Sequence, residues 1–306
     1  MNRFLLSALT ITLVLSFGSL AGCRRAAPPP QVQAPSVPMV VSMAMAGAHN
    51  PGSLVDVPML IEMMNRGDAV LVDVSPNPNN VIPGAIWIDR TSLYRNVDGN
   101  PSSAETAEVH ARVLGANGIS NNTTVILYDD ANGMHAAKMF WQFRGMGHND
   151  VRLLDGGLTA WTESGQPLQA TASAPRPAAT FTAVDNMHLR RVDLDEVLYT
   201  KGNPNWSIID IRSPGEWSGG RIPGAIQMTF PRDFLNDNFT FRTVRDIEAA
   251  FGNIPRNTNI IVYCGSGLRA SLAHFALVEL LGWPMPVYNY EGSWSNWTWA
   301  GAPIEN

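Results

Sequence analysis

The residues of this chain best placed to do chemistry lie in one short stretch. Ile260-Ile261-Val262-Tyr263 runs into Cys264, then Gly265-Ser266-Gly267-Leu268, then Arg269. A β-branched run reads as a strand, and an apolar helical pattern begins at Ala270. The strand therefore delivers a thiol into a turn at a helix N-terminus. Loop amides and the positive end of the helix dipole both favour a thiolate there. Arg269 adds a fixed positive charge within reach of whatever the sulfur attacks. The substrate suited to such a site is an anion with a transferable electrophilic atom.

The surrounding pattern says what must hold this stretch. In the second half of the chain the periodicity predicts a helix over 192–199, a strand over 206–211 and a helix over 243–251. A strand over 260–263 and a helix over 270–281 follow. Strands interleaved with helices make an α/β fold, a mainly parallel sheet with helices on both faces. Sites in such sheets lie at the carboxyl ends of strands, where Cys264 falls.

The chain also repeats itself. Val70-Leu71-Val72-Asp73 echoes Ile208-Ile209-Asp210, and Ile82-Pro83-Gly84-Ala85-Ile86 recurs unchanged at 222–226. Thr124-Val125-Ile126-Leu127-Tyr128-Asp129 matches the strand ending in Cys264, and Leu154-Asp155-Gly156-Gly157 with Trp161 matches Tyr290-Glu291-Gly292-Ser293 with Trp297. The landmarks keep one order at offsets of about 135–140 residues, far beyond the roughly 20–50 residues of solenoid repeats. This is a duplicated domain.

Those motifs together resemble a tandem rhodanese, the sulfurtransferase family of thiosulfate sulfurtransferase and 3-mercaptopyruvate sulfurtransferase. The resemblance covers about residues 53–305. It implies an N-terminal domain over 53–170 that lacks the cysteine, a linker over 171–185 and a catalytic C-terminal domain over 186–306. Asp129 stands where the first copy's sulfur would be and cannot accept a sulfur atom. The resemblance also implies a mechanism. Cys264 attacks the outer sulfur of a donor anion, carries it as a persulfide, and passes it to cyanide or a thiol acceptor. The amides of Gly265, Ser266, Gly267, Leu268 and Arg269 would hold negative charge on the sulfur, and the two glycines let the backbone curl around it. Ser266 and Arg269 would contact the donor.

Four residues separate Cys264 from Arg269, where the similar cradle of cysteine phosphatases has five. The smaller ring suits one sulfur atom better than a tetrahedral phosphate. Cys-Gly-Ser-Gly resembles mercaptopyruvate enzymes, whereas Arg269 resembles bacterial thiosulfate sulfurtransferases and points to thiosulfate. Many tandem members carry a substrate-anchoring arginine where this chain has Glu216. Arg212 and Arg221 are nearby cations that either compensate or form structural ion pairs. Asp210 either braces Arg269 or ends its strand. Trp297 matches Trp161 and reads as core, which leaves Trp294 as the pocket candidate. A persulfide carrier or docking module, holding a partner without turnover, is the reading from another class.

The chain has 306 residues, a net charge of −5, two cysteines and six histidines. The acidic balance and lack of basic runs argue against nucleic acid as a partner. Two cysteines make no disulfide framework, and histidines without ligand spacing call for no metal. Nothing in the pattern calls for a cofactor.

The N-terminus reads as an address. A charged start and an apolar run form a signal peptide over 1–22. Leu20-Ala21-Gly22-Cys23 closely resembles the bacterial lipobox, which implies cleavage before a lipidated Cys23. Arg24 stands where inner-membrane retention would want an aspartate, so the resemblance implies a periplasmic protein anchored to the outer membrane. Residues 23–52, rich in Pro, Ala, Ser, Gly and Met, read as lipidated cysteine and flexible tether.

Overall fold

A computed structural model describes residues 39–306. The signal segment, Cys23 and the first part of the tether lie outside the described residues. In chain order the first half contains β1 (Leu54–Val55), α1 (Val57–Arg66), β2 (Val70–Asp73), β3 (Asn79–Val81), β4 (Ile86–Trp87), β5 (Tyr94–Val97) and β6 (Asn100–Ala104). It continues with α2 (Ala107–Ala116), β7 (Val125–Tyr128), α3 (Met134–Gly145), β8 (Val151–Leu154), α4 (Gly157–Glu163) and β9 (Gln169–Thr171). The second half contains β10 (Arg191–Val192), α5 (Leu194–Thr200), β11 (Trp206–Asp210), α6 (Pro214–Ser218), β12 (Ile226–Gln227) and α7 (Val244–Ala250). It ends with β13 (Asn259–Tyr263), α8 (Leu268–Phe275), β14 (Val287–Tyr290) and α9 (Ser293–Trp299).

Each half is built on a five-stranded parallel sheet, ordered β1-β8-β7-β2-β4 in the first and β10-β14-β13-β11-β12 in the second. The central strands are apolar on both faces because helices cover both, so β2 and β7 are buried throughout and β13 along Ile260–Tyr263. The repeated Ile-Pro-Gly-Ala motif has a structural cause. In each half its isoleucine amide donates to the hydroxyl of the tyrosine ending the central strand, Ile82 to Tyr128 at 3.0 Å and Ile222 to Tyr263 at 3.1 Å. The motif glycines, Gly84 and Gly224, take φ of +83° and +78°, conformations that β-carbons disfavour.

The expected helix over 192–199 begins later, because Val192 closes β10 and Asp193 caps α5 through a capping box with Glu196. The expected helix over 270–281 starts at Leu268 and passes into a π-helical turn over Ala276–Leu280. Trp161 and Trp297 are both fully buried, each donating its indole N–H to a proline carbonyl at 2.8 Å.

The domains are joined by an apolar core running through α3 and α8, with Phe140 edge-on to Phe275 at 4.9 Å. Each half also lends the other an arm. The β5–β6 hairpin lies on the second domain, where Asn296 donates to the Asp98 carbonyl at 2.9 Å. The loop bridged at Leu235 and Phe241 lies on the first, where the Phe241 amide donates to Asp155 at 2.8 Å.

Part of the stretch assigned to a flexible tether is fastened down. The Val40 amide donates to Ser164 Oγ at 2.9 Å, Ala44 is fully buried, and His49 and Asn50 bond the carbonyls of Leu280 and Glu279, both at 2.8 Å. Its small and polar side chains let it cross the domain surface and spend its backbone donors there.

Candidate active site

Strand β13 sets Cys264 directly after four fully buried residues, and the thiol is itself 1% exposed. The Gly267 amide donates to Sγ at 3.2 Å, a contact that favours negative charge on sulfur. Gly267 caps α8 at φ +83°, and a β-carbon there would stand 2.7 Å from the Glu291 carbonyl oxygen. Only glycine both turns this corner and passes that close to the neighbouring chain.

The loop is held from three sides. The Cys264 amide donates to Ser293 Oγ at 3.1 Å, and the amides of Trp294 and Ser295 donate to the carbonyls of Cys264 and Gly265, both at 3.0 Å. Asn289 and Ser271 reach the Gly267 carbonyl at 3.3 and 2.9 Å. From the first domain, Ser102 donates to the Ser266 carbonyl at 2.9 Å and Asn100 to the Glu291 carbonyl at 2.6 Å. The sulfur-lacking domain thus contributes residues that shape this loop. Gly265, Ser266, Leu268 and Arg269 remain partly exposed around the thiol.

Arg269 does not stand free. Its two terminal nitrogens donate to the Glu216 carboxylate at 2.8 and 2.7 Å. That pairing raises the arginine's basicity, to which the nearby Cys264 sulfur adds. The same bonds hold the Glu216 carboxyl down at about 2. Glu216 also accepts from the Ser213 amide and hydroxyl at 3.0 and 2.8 Å, as the N3 member of α6's capping box.

The other cations are committed elsewhere. Arg212 is 2% exposed, donates to Asp210 at 2.6–3.0 Å and to the Gly220 carbonyl at 2.7 Å, and lies 4.3 Å from the Trp294 ring. Asp210 also accepts from Tyr263 at 2.6 Å, so it braces Arg212 and Tyr263 rather than Arg269. Arg221 donates to Glu305 at 3.1 and 2.5 Å and pins the C-terminal segment. Trp294 presses on Arg212 while its amide anchors the cysteine's carbonyl.

The first domain shows the same loop with its centre filled. Asp129 is 2% exposed; its Oδ1 accepts from the amides of Ala131 and Gly133 at 2.8 and 2.9 Å, and its Oδ2 from Ala136 at 2.8 Å. A carboxylate occupies the nest that in the second domain faces sulfur. This loop is one residue longer: Gly133, four after Asp129, caps α3 as Gly267, three after Cys264, caps α8. His135 takes Arg269's place, with its basicity lowered chiefly by burial.

The sequence reading missed Lys138 on α3. It is buried, donates to Glu291 at 2.6 Å, and has its basicity lowered by burial. A lysine within an apolar helix was the available signal; its partner lies 153 residues away.

Twin parallel-sheet domains, with a cysteine loop in the second and a filled copy in the first, define a duplicated α/β protein. The rhodanese-like domain matches residues 56–164 and again 193–300, and the chain belongs to that family. A Saccharopolyspora erythraea protein named "Putative thiosulfate sulfurtransferase" is 36% identical over 246 residues, covering 74% of this chain and 84% of that one. The sulfur carrier protein TtuD of Thermus thermophilus is 34% identical over 218 residues, 64% of this chain and 76% of that one. Among solved structures, an EanB variant described with a cysteine persulfide and ergothioneine superposes with a TM-score of 0.70 at 25% identity, covering 85% of this chain and 71% of that one. These relatives support assignment to the sulfurtransferase-like transferases.

Proposed function

We propose that the protein moves sulfane sulfur from thiosulfate to cyanide or a thiol through a persulfide on Cys264. The observation that carries this reading is the thiol at the centre of a glycine turn, with the Gly267 amide 3.2 Å from Sγ. The Cys264 thiolate attacks the outer sulfur of thiosulfate. A new S–S bond forms, the donor's S–S bond breaks, and sulfite leaves with the electron pair. The persulfide's terminal sulfur is then taken by cyanide as thiocyanate, and the thiolate is restored. Ser266, Leu268 and Arg269 line the approach to the sulfur, while the amides of Gly265 and its neighbours steady the charge. Arg212 and Arg221 act as struts in this reading and Trp294 as the wall behind them. 3-Mercaptopyruvate is the alternative donor, with pyruvate leaving.

Purified protein given thiosulfate and cyanide should release thiocyanate, faster than with mercaptopyruvate, and Cys264→Ser should abolish it. A stable persulfide at Cys264, no thiocyanate from either donor and transfer of the sulfur to a protein would favour the carrier reading instead. The likeness to TtuD, named a sulfur carrier protein, is what favours that second reading.

We further propose that the N-terminal segment exports the chain and that a lipid on Cys23 tethers it in the periplasm. Metabolic labelling with a lipid precursor, lost in Cys23→Ala, tests this; unlabelled wild-type protein would overturn it.

A further inference from the structure

We propose that Glu216 sets the charge of the donors that the Cys264 site accepts, by cancelling the charge of Arg269 while fixing its position. The inference rests on the sulfur-transfer reading above. Glu216 takes both terminal nitrogens of Arg269, at 2.8 and 2.7 Å. The carboxylate cannot easily swing aside, because the Ser213 amide and hydroxyl hold it at the first turn of α6. The pair also lies beside the thiol's own loop. A β-carbon on Gly265 would stand 3.3 Å from Arg269 Nη2 and 4.0 Å from Glu216 Oε1. Glycine at 265 therefore leaves room for the clamp next to Cys264.

Among the described residues, three further cations of this domain and its seam are each paired with a carboxylate of their own. Arg212 is paired with Asp210, Arg221 with Glu305 and Lys138 with Glu291. A dianionic donor reaching the thiol meets a guanidinium whose charge is already balanced and two of whose five N–H groups are taken by Glu216. Each further negative charge on the donor costs affinity against the Glu216 carboxylate. Glu216 is thus a positioning and specificity residue acting through Arg269.

The test compares thiosulfate, a dianion, with methanethiosulfonate, a monoanion that loses a sulfinate in the same S–S exchange. Cyanide is the acceptor for both. Glu216→Gln keeps the N3 side chain of the capping box and one bond to Arg269 but removes the charge. It should lower KM for thiosulfate by about five- to tenfold and KM for methanethiosulfonate by only about two- to threefold, because the interaction scales with donor charge. kcat should move less than KM, and kcat/KM for thiosulfate should fall more steeply with added salt than in wild type. Glu216→Asp keeps the charge and should retain the wild-type ratio of the two KM values; a merely structural role would move Asp and Gln variants alike. Equal shifts for both donors, or a higher thiosulfate KM in Glu216→Gln, would overturn the role of Glu216 while leaving sulfur transfer intact. A wild-type protein silent with both donors would overturn the transfer reading and this inference with it.

Discussion

Lys138 Nζ and Glu291 Oε1 meet 2.6 Å apart across the domain seam, the lysine fully buried and the glutamate 3% exposed. Glu291 also accepts from the Ala104 amide at 2.7 Å and lies 3.4 Å from Arg191. Its carbonyl stands against Gly267 of the cysteine loop. Lys138→Met would leave a buried carboxylate with one half-exposed cation. The expected cost is about 3–5 kcal/mol of stability, read by urea unfolding, with any surviving fold showing a weaker sulfur-transfer rate. A loss below about 1 kcal/mol would mean that the seam does not depend on this pair.

The other seam is built with the same parts but lacks the cation. Asp155, the counterpart of Glu291, accepts from Phe241, and Leu272 of α8 stands where α3 has Lys138. Burial pushes the Asp155 carboxyl up to about 7. A folded value above the unfolded one means that the contribution is fully present below the ordinary carboxyl value of 3.8 and is lost as pH rises towards about 7. Asp155→Asn, which keeps an acceptor for Phe241, should therefore gain stability relative to wild type as pH climbs through that window. Thermal midpoints of the two proteins from pH 4 to 8 check this. A constant difference across the range would reject it.

Gly267→Ala is expected to fail on two counts. It forces a β-carbon to within 2.7 Å of the Glu291 carbonyl and strains a residue at φ +83°. The cost is about 1–3 kcal/mol from backbone strain, before the clash is counted. The amide that faces Sγ also moves, so thiocyanate release should fall by about 10²-fold or more. An alanine variant with wild-type turnover would show that this corner does not set the sulfur's environment.

Asp129→Ala removes the acceptor of three amides in the sulfur-lacking loop. Buried donors left without partners cost about 1–3 kcal/mol each, less what water recovers, so we expect a loss of about 2–4 kcal/mol. Persulfide formation at Cys264, followed by mass spectrometry, should persist in the folded fraction. Loss of the persulfide with unchanged stability would give Asp129 a part in the chemistry.

The duplication was legible because the same packing problem is solved twice with the same residues. Asp73 and Asp210 end paired strands, and the Ile-Pro-Gly-Ala turns sit on Tyr128 and Tyr263. Cys264 and its loop were legible because strand, glycine turn and helix follow each other within a dozen residues. The Arg269–Glu216 clamp was not, since its members are 53 residues apart; Arg269 alone reads as a donor-binding cation and Glu216 alone as a missing substrate anchor. Lys138 and Glu291 were hidden for the same reason. The exchanged arms, Tyr94–Ala104 and the loop around Phe241, carry no strong periodicity because much of their covering surface comes from the other half. The fastening of residues 39–52 is not legible because the stretch 23–52, rich in Pro, Ala, Ser, Gly and Met, has the same composition whether it is pinned by backbone bonds or free.

The exchange of arms ties the surface of each copy to the other. Were the gene cut in two between its copies, each product would emerge missing the arm that the other lends it. Neither would be a smaller version of the whole, and the two would have to find each other to regain their shape. With Asp129 where the second copy has its sulfur, the first copy stands beside the other as a built-in chaperone.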